Sequence, residues 1–281
     1  MELNAEVLER VVRAALEEDV GAGDRTTDRV VPTDARCRAR LLLEEAGVVC
    51  GLDAARAVFT ALDPSVRLDP LVDEGGLVQS VPASLATVEG PARAILTGER
   101  TALNLLGRLC GIATLTSQYV AAVAGTGVTI LDTRKTTPGL RELEKYAVRC
   151  GGATNHRAGL YDAVLIKENH QRLAGGIAPA VAALRNGQPI EVEAQIEVEA
   201  ESLADVAEAL EAGVDRILLD NMSPAEVARA VELAGGRAQL EASGGITLAN
   251  VRAYAETGVD FISIGALTHS ARSLHVSLEV R

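Results

Sequence analysis

The sequence is poor in aromatic residues and has no excess of positive charge. It contains no tryptophan and two phenylalanines, Phe59 and Phe261, among 281 residues. Base stacking on the protein is therefore not expected, because such surfaces are built from aromatic side chains. The formal net charge of −12 excludes a broad positive face for nucleic acid or an anionic membrane. Any cluster of basic residues must consequently be local.

Long apolar runs and closely spaced cysteines are also missing. No stretch of about 20 apolar residues occurs, and the start MELNAEVLERVV lacks the basic and apolar regions of a signal peptide. A cytoplasmic protein is expected. The cysteines show no CxxC pair and no metal-ligand spacing, so buried free thiols without chemistry are predicted at Cys37, Cys50, Cys110 and Cys150.

The first hundred residues have the pattern of a small α+β domain. Residues 5–18, AEVLERVVRAALEE, carry apolar residues on one face and predict an amphipathic helix. Short strand-like runs dominate from 35 to 98, and ARAILTG is one of them. The helix DAARAVFTAL interrupts these runs, with Asp53 as its expected N-cap. From Thr101 the long helical run TALNLLGRLCGIATLTSQYVAAVAG begins a different organisation.

From residue 128 onward, apolar strands alternate with amphipathic helices. The predicted strands are VTILDT, DAVLIK, IEVEA, DRILLD, AQLEAS and DFISIG. This alternation predicts a parallel sheet covered by helices, either an open doubly wound sheet or an α/β barrel. Polar residues follow nearly every strand. That favours the barrel, because barrels place their active sites at the C-terminal ends of the strands.

The last two strand ends are rich in glycine. EASGGITLANV and FISIGALTHS leave backbone N–H groups open to close approach by a ligand. A barrel commonly binds phosphate at these two loops, near a helix N-terminus, so a phosphate cradle is predicted there. Tight turns alone would use the same glycines and are the simpler alternative. Two successive strand ends of this kind favour the phosphate site.

Basic side chains collect at two earlier strand ends. ILDTRKTTPG supplies Arg134 and Lys135, and NHRAGLYDAVLIKENH supplies Arg157 and Lys167. Cations packed together at a barrel mouth need anions, so the predicted ligand carries more than one anionic group. The histidine of NHR alone would be more typical of a structural residue than of a catalyst.

Asp220 is the expected acidic counterpart. It ends the strand DRILLD, and the next helix already has Ser223 as its N-cap and Pro224 at its first position. An acid at a strand end without a capping role is expected to face the ligand, on a metal or a sugar. The site therefore combines cations with at least one carboxylate.

The continuous block LDTRKTTPGLRELEKYAVRCGGATNHRAGLYDAVLIKENH resembles the quinolinate phosphoribosyltransferase family. The similarity extends from DVGAGDRTT through GERTALNLLGRLCGIAT to EASGGI and FISIGALTHS, and so covers nearly the whole chain. It implies an α/β fold with an N-terminal α/β sandwich (residues 1–103, joined by residues 271–281) and an incomplete TIM-like α/β barrel (residues 104–270). It also implies a homodimer whose active sites are shared between subunits.

The resemblance implies a glycosyltransferase of NAD biosynthesis. Such an enzyme transfers phosphoribosyl from phosphoribosyl pyrophosphate to quinolinate, with Mg²⁺, and gives nicotinate mononucleotide, pyrophosphate and CO2. Family residues that bind the quinolinate carboxylates match Arg134, His156, Arg157 and Lys167, with Arg100 from the partner subunit. Residues that face phosphoribosyl pyrophosphate and its Mg²⁺ match Lys135, Glu199 and Asp220, which are the implied catalytic residues.

Further substrate-binding positions follow from the same comparison. Thr133 lies between Asp132 and Arg134 in the cationic segment. The implied cradle for the 5-phosphate consists of Ser243, Gly244, Gly245, Ile264, Gly265 and Ala266. Any contact of Glu199 and Asp220 with the metal is expected to run through phosphoribosyl pyrophosphate and water.

Two features depart from the family pattern or complicate it. Ala153 stands where the family has a third glycine before NHR, a small change unless that position needs a positive φ. The pentapeptide IEVEA occurs at 190–194 and again at 196–200, so either Glu193 or Glu199 can supply the strand-end acid. The spacing to Asp220 and the helical run that follows favour Glu199.

Three other functions fit parts of the pattern. A Schiff-base aldolase would use Lys167 as its nucleophile. A paralogue in molybdenum transport shares parts of the block, and a non-catalytic binding protein would need no carboxylates opposite the cations. The intact NHR and LIKENH segments, together with the mixed charges, favour the transferase.

Overall fold

The computed structural model describes residues 3–187 and 195–281. The helices within these ranges are α1 (Ala5–Asp19), α2 (Thr27–Val30), α3 (Leu52–Leu62), α4 (Ala92–Ala122), α5 (Arg141–Cys150), α6 (Glu168–Ala174), α7 (Ile177–Asn186), α8 (Leu203–Glu211), α9 (Pro224–Ala234), α10 (Val251–Ala255) and α11 (Ala266–His269). The strands are β1 (Arg36–Leu43), β2 (Gly47–Val48), β3 (Arg67–Pro70), β4 (Leu77–Val78), β5 (Ala83–Pro91), β6 (Thr129–Leu131), β7 (Val164–Ile166), β8 (Ile196–Ala200), β9 (Arg216–Asp220), β10 (Gln239–Ser243), β11 (Phe261–Ser263) and β12 (Val276–Val280).

The described chain divides into two compact units. The first is formed by the described residues of Met1–Ser117, Thr136–Gly152 and Ala266–Arg281. The second is formed by those of Gln118–Lys135 and Ala153–Gly265. The domain limits expected from the family resemblance, after residues 103 and 270, stay a prediction.

The first unit contains an antiparallel sheet of four strands in the order β12-β1-β5-β3. The strand β12, from the end of the chain, pairs with β1 so that Leu278 lies opposite Leu41. Ala39, Leu41 and Leu43 alternate along β1 and are fully buried. This period of two is what a strand with one face on a core requires. Helices α1 and α3 pack against each other in the same unit.

Two local predictions in the first unit are wrong. Helix α3 begins at Leu52 after Gly51, and Asp53 lies within its first turn, where it forms an ion pair with Arg56 instead of an N-cap. The N–H groups at this helix start are bound by the Glu74 carboxylate, at 2.6 to 3.0 Å. A carboxylate brought in from a distant segment has replaced the local cap.

The second wrong prediction concerns ARAILTG, which is helical. Helix α4 begins at Ala92 and runs for 31 residues. Ala94 and Ile95 are buried in its first turns, and Gly98 and Ala102 continue the same face. A short apolar run has no period of its own that separates strand from helix. Joined to the helical run that follows, it continues the helix.

The second unit is built on a six-stranded parallel sheet in the order β6-β11-β10-β9-β8-β7. This order is that of a barrel read around its circumference, with one interruption between β6 and β7. A single parallel bridge joins Leu131 of β6 to Thr154. The predicted incomplete α/β barrel is confirmed.

The register of the sheet brings polar strand ends to one edge. Strand β10 pairs with β9 so that Ser243 lies opposite Asp220, and Ala200 of β8 lies opposite Leu219. Ile217 and Leu219 are fully buried, as expected for parallel strands covered by helices. The second IEVEA copy forms β8, which carries Glu199. Residues 190–194, and with them Glu193, lie outside the described residues.

The helix start predicted at Ser223 is confirmed. Ser223 and Glu226 form a reciprocal capping box, and Pro224 occupies the first helical position of α9. Asp220 is thus relieved of a capping role. Among the described residues, each helix is too short or too polar to cross a lipid bilayer.

Close packing within the first unit generates a stability prediction at Gly111. A Cβ atom at this position of α4 would lie 1.9 Å from the carbonyl oxygen of Arg272. Gly111→Ala should therefore lower the free energy of unfolding by about 1–3 kcal/mol, because backbone must move to admit the methyl group. Urea unfolding measures this value.

Ala121→Gly is the matched control. Ala121 is exposed on the same helix, so the change costs only helix propensity, about 1 kcal/mol or less. An unfolding free energy for Gly111→Ala equal to or above the wild-type value would contradict the close contact.

Candidate active site

A pocket of about 400 Å³ opens where the strands of the parallel sheet end. It is confined to the second unit. Apolar and buried polar residues form part of its wall, namely Leu165, Leu218, Glu241 and Ser263. The structure brings nine of the residues predicted from the sequence to its lining, namely Thr133, Arg134, Lys135, His156, Arg157, Lys167, Glu199, Asp220 and Ser243.

The cationic side of the pocket contains two crowded guanidinium groups. Burial and the charge of Arg134 lower the pKa of Arg157 from its ordinary value. An arginine remains protonated over the physiological range even so. The lowered pKa thus reflects burial first and the neighbouring charge of Arg134 second, and an anionic ligand would favour the charged form of Arg157. Lys167, at the end of β7, has its Nζ 3.8 Å from Oε2 of Glu199.

Asp132 holds the two cation-bearing segments together. Its carboxylate is fully buried. It accepts a hydrogen bond from the backbone N–H of His156 at 2.7 Å and another from Nδ2 of Asn155 at 2.7 Å. The acid of the LDTRK sequence therefore fixes the NHR segment beside the end of β6, and it is not part of the pocket lining.

Both ring nitrogens of His156 are engaged inside the protein. Nδ1 accepts the backbone N–H of Arg157 at 2.8 Å, so the neutral ring carries its hydrogen on Nε2. Nε2 lies 3.2 Å from Oε2 of Glu197 and 3.5 Å from Oε2 of Glu241. Burial alone would lower the pKa of His156, but these two carboxylates raise it. The hydrogen bond that Nδ1 accepts from the Arg157 N–H opposes protonation of His156. A protonated Nδ1 would have no lone pair with which to accept it.

Sequence reasoning missed two buried acids of the site, Glu241 in the pocket wall and Glu197 outside the lining. Glu197 is 5% exposed and Glu241 is fully buried. Nη1 of Arg216 lies 3.5 Å from Oε2 of Glu241, and its guanidinium stacks on the Phe261 ring at 4.1 Å. Burial, and then the charge of Glu197, raises the pKa of Glu241 to about 7. The available signal was a glutamate in the interior of each strand, between apolar neighbours.

The acidic side of the pocket is lined by Glu199 and Asp220, which form a cluster of three carboxylates with Glu201. Glu199, Glu201 and Asp220 each offer one oxygen, and these oxygens lie within 4.8 Å of one another. Burial raises the pKa of Glu199 even though Lys167 lowers it. Nδ2 of Asn221 donates to Oδ2 of Asp220 at 2.7 Å. Such a set of oxygen ligands suits a hard divalent cation.

The glycines after β10 occupy positions that other residues would not tolerate. Gly244 has φ +90°, and a Cβ there would lie 2.2 Å from Oδ1 of Asn221. Asn221 is itself left-handed, with φ 55°, and its N–H donates to the Ser243 carbonyl at 2.9 Å. The turn is therefore tightly built. Gly245 has φ +64° and open space around its missing Cβ, which allows close approach of a ligand.

Six predicted site residues are not part of the pocket lining among the described residues. They are Arg100, Gly244, Gly245, Ile264, Gly265 and Ala266. Arg100 is exposed on α4 in the first unit. Ile264 is 1% exposed, and its N–H donates to the Leu131 carbonyl at 2.9 Å. This N–H is thus already used within the sheet, and the phosphate-binding role of Ile264 stays a prediction.

Two family models match the chain with little left over. Residues 24–110 match the N-terminal domain of quinolinate phosphoribosyl transferase, and residues 112–279 match its C-terminal domain. The chain belongs to the quinolinate phosphoribosyltransferase family. The resemblance of the LDTRK to LIKENH block is confirmed.

Relatives of the quinolinate phosphoribosyltransferase family align over nearly the full chain. A probable nicotinate-nucleotide pyrophosphorylase (carboxylating) from Synechocystis sp. is 47% identical over 94% of this chain and 90% of its own length. The nicotinate-nucleotide pyrophosphorylase (carboxylating) from Mycobacterium leprae is 43% identical over 96% of this chain and 95% of its own length. The solved nicotinate-nucleotide pyrophosphorylase from Francisella tularensis superposes with a TM-score of 0.94 at 40% identity, covering 100% and 98% of the two chains.

The raised pKa of Glu241 generates a prediction about stability and pH. The folded protein keeps this proton up to a pH of about 7, whereas an unfolded chain releases it near 4.5. The folded state then binds more protons between these values, so the contribution of Glu241 to stability falls as pH rises. Glu241→Gln removes the titration. The free energy of unfolding of Glu241→Gln, relative to that of the wild type, should rise by on the order of 1–3 kcal/mol from pH 5 to pH 8.

Urea unfolding at four pH values across this range measures the difference. Glu226→Gln serves as the control, because hydrogen bonds from Ser223 lower the pKa of that carboxylate. Its stabilising contribution is lost only as pH falls, so the control should be flat from pH 5 to pH 8. A gap between Glu241→Gln and wild type that does not change with pH would refute the buried titration.

Proposed function

We propose that this protein transfers phosphoribosyl from phosphoribosyl pyrophosphate to quinolinate, giving nicotinate mononucleotide, pyrophosphate and CO2. The observation that carries the proposal is that one pocket combines the cations Arg134, Arg157 and Lys167 with two carboxylates, Glu199 and Asp220, that belong to a three-carboxylate cluster. A small diacid needs cations to bind its carboxylates, and a sugar polyphosphate with its metal ion needs carboxylates. A reaction between the two requires both in one pocket. Family membership supplies the same reaction class independently.

Quinolinate is assigned to the cationic side. Its two carboxylates would face Arg134, Arg157 and Lys167, since arginine suits bidentate contact with a carboxylate and lysine supplies a point charge. Binding would relieve the repulsion between Arg134 and Arg157. His156 supports this side through the Arg157 backbone, and a direct contact of its ring with quinolinate stays a prediction.

Phosphoribosyl pyrophosphate is assigned to the acidic side and the glycine turn. The carboxylates of Glu199, Glu201 and Asp220 fit Mg²⁺ by ligand type, since this ion binds oxygen and keeps several waters. When bound, Mg²⁺ would neutralise charge on the pyrophosphate group. Gly244 and Gly245 would receive the 5-phosphate.

The chemistry requires no protein nucleophile. Departure of pyrophosphate leaves positive charge at the anomeric carbon, which Glu199 and Asp220 would stabilise electrostatically while Lys135 neutralises the leaving group. The quinolinate nitrogen then bonds to the ribose and becomes positive. The C–C bond to the adjacent carboxylate breaks, CO2 leaves, and the electron pair that stays on the ring carbon is stabilised by the positive nitrogen until this carbon takes a proton from water. Arg134 and Arg157 need only hold the ring in place.

Two further properties belong to this proposal. The four cysteines are all free thiols, which agrees with a reducing compartment such as the cytoplasm. A homodimer with shared sites is supported by three large apolar side chains that are highly exposed on segments following the pocket residues. They are Leu160, Tyr161 and Leu173, at 73%, 82% and 90%. Exposed Arg100 would then act in the site of the partner subunit.

The deciding experiment is mass detection of nicotinate mononucleotide from the purified protein. Quinolinate, phosphoribosyl pyrophosphate and Mg²⁺ are supplied, with nicotinate as a competing acceptor in a parallel reaction. Product from quinolinate alone supports the proposal. No product from folded protein would refute it, and borohydride trapping of a carbonyl substrate on Lys167 would replace it with the aldolase.

Arg157→Ala should separate the two substrates kinetically. Loss of one charged contact to a carboxylate is expected to raise KM for quinolinate by about 10- to 100-fold, equivalent to roughly 1.4–3 kcal/mol. KM for phosphoribosyl pyrophosphate should change by less than about threefold, because its predicted contacts lie on the other side. Initial rates with each substrate varied in turn provide the measurement.

Arg172→Ala is the matched control for this change. Arg172 forms an exposed ion pair with Glu168 on α6 and is not among the pocket residues, so both constants should stay at the wild-type values. Equal losses for both substrates in Arg157→Ala would contradict the assignment of quinolinate to the cationic side.

A further inference from the structure

Three of the four cysteines come together in the first unit, and none of them is a pocket residue. Cys50 follows β2, Cys110 lies within α4, and Cys150 ends α5. The Sγ atoms of Cys50 and Cys150 lie with a carboxylate oxygen of Glu74 in a group whose members are within 4.8 Å of one another. The described mechanism uses none of these side chains.

Cys110 is held by backbone hydrogen bonds and leaves the other two cysteines as a pair. Its Sγ accepts the N–H of Cys50 at 3.2 Å and donates to the carbonyl of the same residue at 3.3 Å. Cys50 and Cys110 are fully buried, whereas Cys150 is partly exposed. A reagent from solvent therefore reaches Cys150 first.

The two thiols of the pair differ in acidity. A hydrogen bond from the Cys50 thiol, helped by the Tyr146 hydroxyl, lowers the pKa of Cys150 despite its burial. Burial, followed by the same hydrogen bond, raises the pKa of Cys50 well above its ordinary value. Burial also raises the pKa of Cys110, to about 12. Thiolate character thus concentrates on the accessible member, which is the arrangement of an oxidisable cysteine beside a second thiol.

The carboxylate in the group argues against a metal site. Both oxygens of Glu74 accept backbone N–H groups of Gly51 and Leu52, so this side chain already serves as the cap of α3. A structural zinc site needs four ligands in a closed tetrahedron. Within the described residues, three side chains form the group, and the nearby Cys110 is engaged with the Cys50 backbone.

We propose that Cys150 and Cys50 form a reversible disulfide, with Cys150 oxidised first by a hydroperoxide and Cys50 resolving it. The Cys150 thiolate attacks one peroxide oxygen; an S–O bond forms, the O–O bond breaks, and the leaving oxygen takes a proton as water or alcohol. The Cys50 sulfur then attacks the Cys150 sulfur. The S–S bond forms, the S–O bond breaks, and hydroxide leaves with the Cys50 proton as water.

The oxidation and the later reduction each transfer two electrons. Two electrons pass from the two sulfurs to the peroxide, and a dithiol reductant returns them through two exchange steps. In a reducing compartment such a disulfide is transient, as expected for a redox-responsive pair. The inference is independent of the proposed transferase function, because none of its residues lines the pocket.

The test is peptide mass mapping of the reduced full-length protein after exposure to hydrogen peroxide, without reductant. A Cys50–Cys150 linked peptide should be the main product and should disappear with dithiothreitol. Cys50→Ser removes the resolving thiol, so dimedone trapping of sulfenic acid on Cys150 should rise at least about fivefold. Cys37→Ser is the control, since Cys37 lies outside the group, and its linked product should match wild type.

Several outcomes would overturn the inference. One is oxidation of Cys37 before Cys150. Another is accumulation of sulfinic acid on Cys150 of the wild-type chain while Cys50 stays a thiol. A third is oxidation of Cys50 in Cys150→Ser to the same extent as in the wild type. Stoichiometric zinc in the purified protein that is lost in Cys50→Ser would assign the group to a metal site instead. Should Cys50→Ser fail to fold, mapping of the wild-type chain still decides between these results.

Discussion

The site depends on holding like charges close together in a partly buried pocket. Arg134 and Arg157 lie together on the cationic side of the pocket, and the charge of Arg134 disfavours that of Arg157. The protein offsets this repulsion with buried acids placed behind the cations, not beside them. Asp132 fixes the backbone of the NHR segment, while Glu197 and Glu241 face the imidazole that supports it. A ligand with two negative groups then completes the charge balance from the open side.

In this arrangement some side chains face the ligand, whereas others fix the position of those ligand-facing side chains. His156 illustrates the difference: it lies in the pocket wall, yet its two ring nitrogens serve the protein. Its hydrogen bond to the Arg157 backbone connects the buried acids to a binding cation. Orientation of a charged group is then maintained by hydrogen bonds and ion pairs within the protein, which is the usual way in which a site is kept preorganised.

Much of the second unit was readable from the sequence, because its strands are short, apolar and followed by polar residues. The strand ends bearing Arg134, Lys167 and Asp220 were located in this way, and family resemblance supplied their roles. Features that depend on contacts between distant segments were not readable. The N-cap predicted at Asp53 was wrong because Glu74 reaches the start of α3 from another segment. Glu197 and Glu241 were missed because the strand pattern does not reveal which of its acids are buried together. The cysteine group has the same origin, since its members are far apart in the chain.

The interruption of the barrel has a mechanical consequence. A closed barrel has its radius fixed by strand number and stagger, because every strand is bonded to two neighbours. Here β6 and β7 are not paired, and the bridge from Leu131 to Thr154 is the backbone link described at that seam. The spacing between the two cation-bearing segments is therefore held by the backbone bonds of that bridge together with the buried carboxylate of Asp132. At this seam, one buried side chain adds two hydrogen bonds to the backbone bridge that joins the segments of the cationic side.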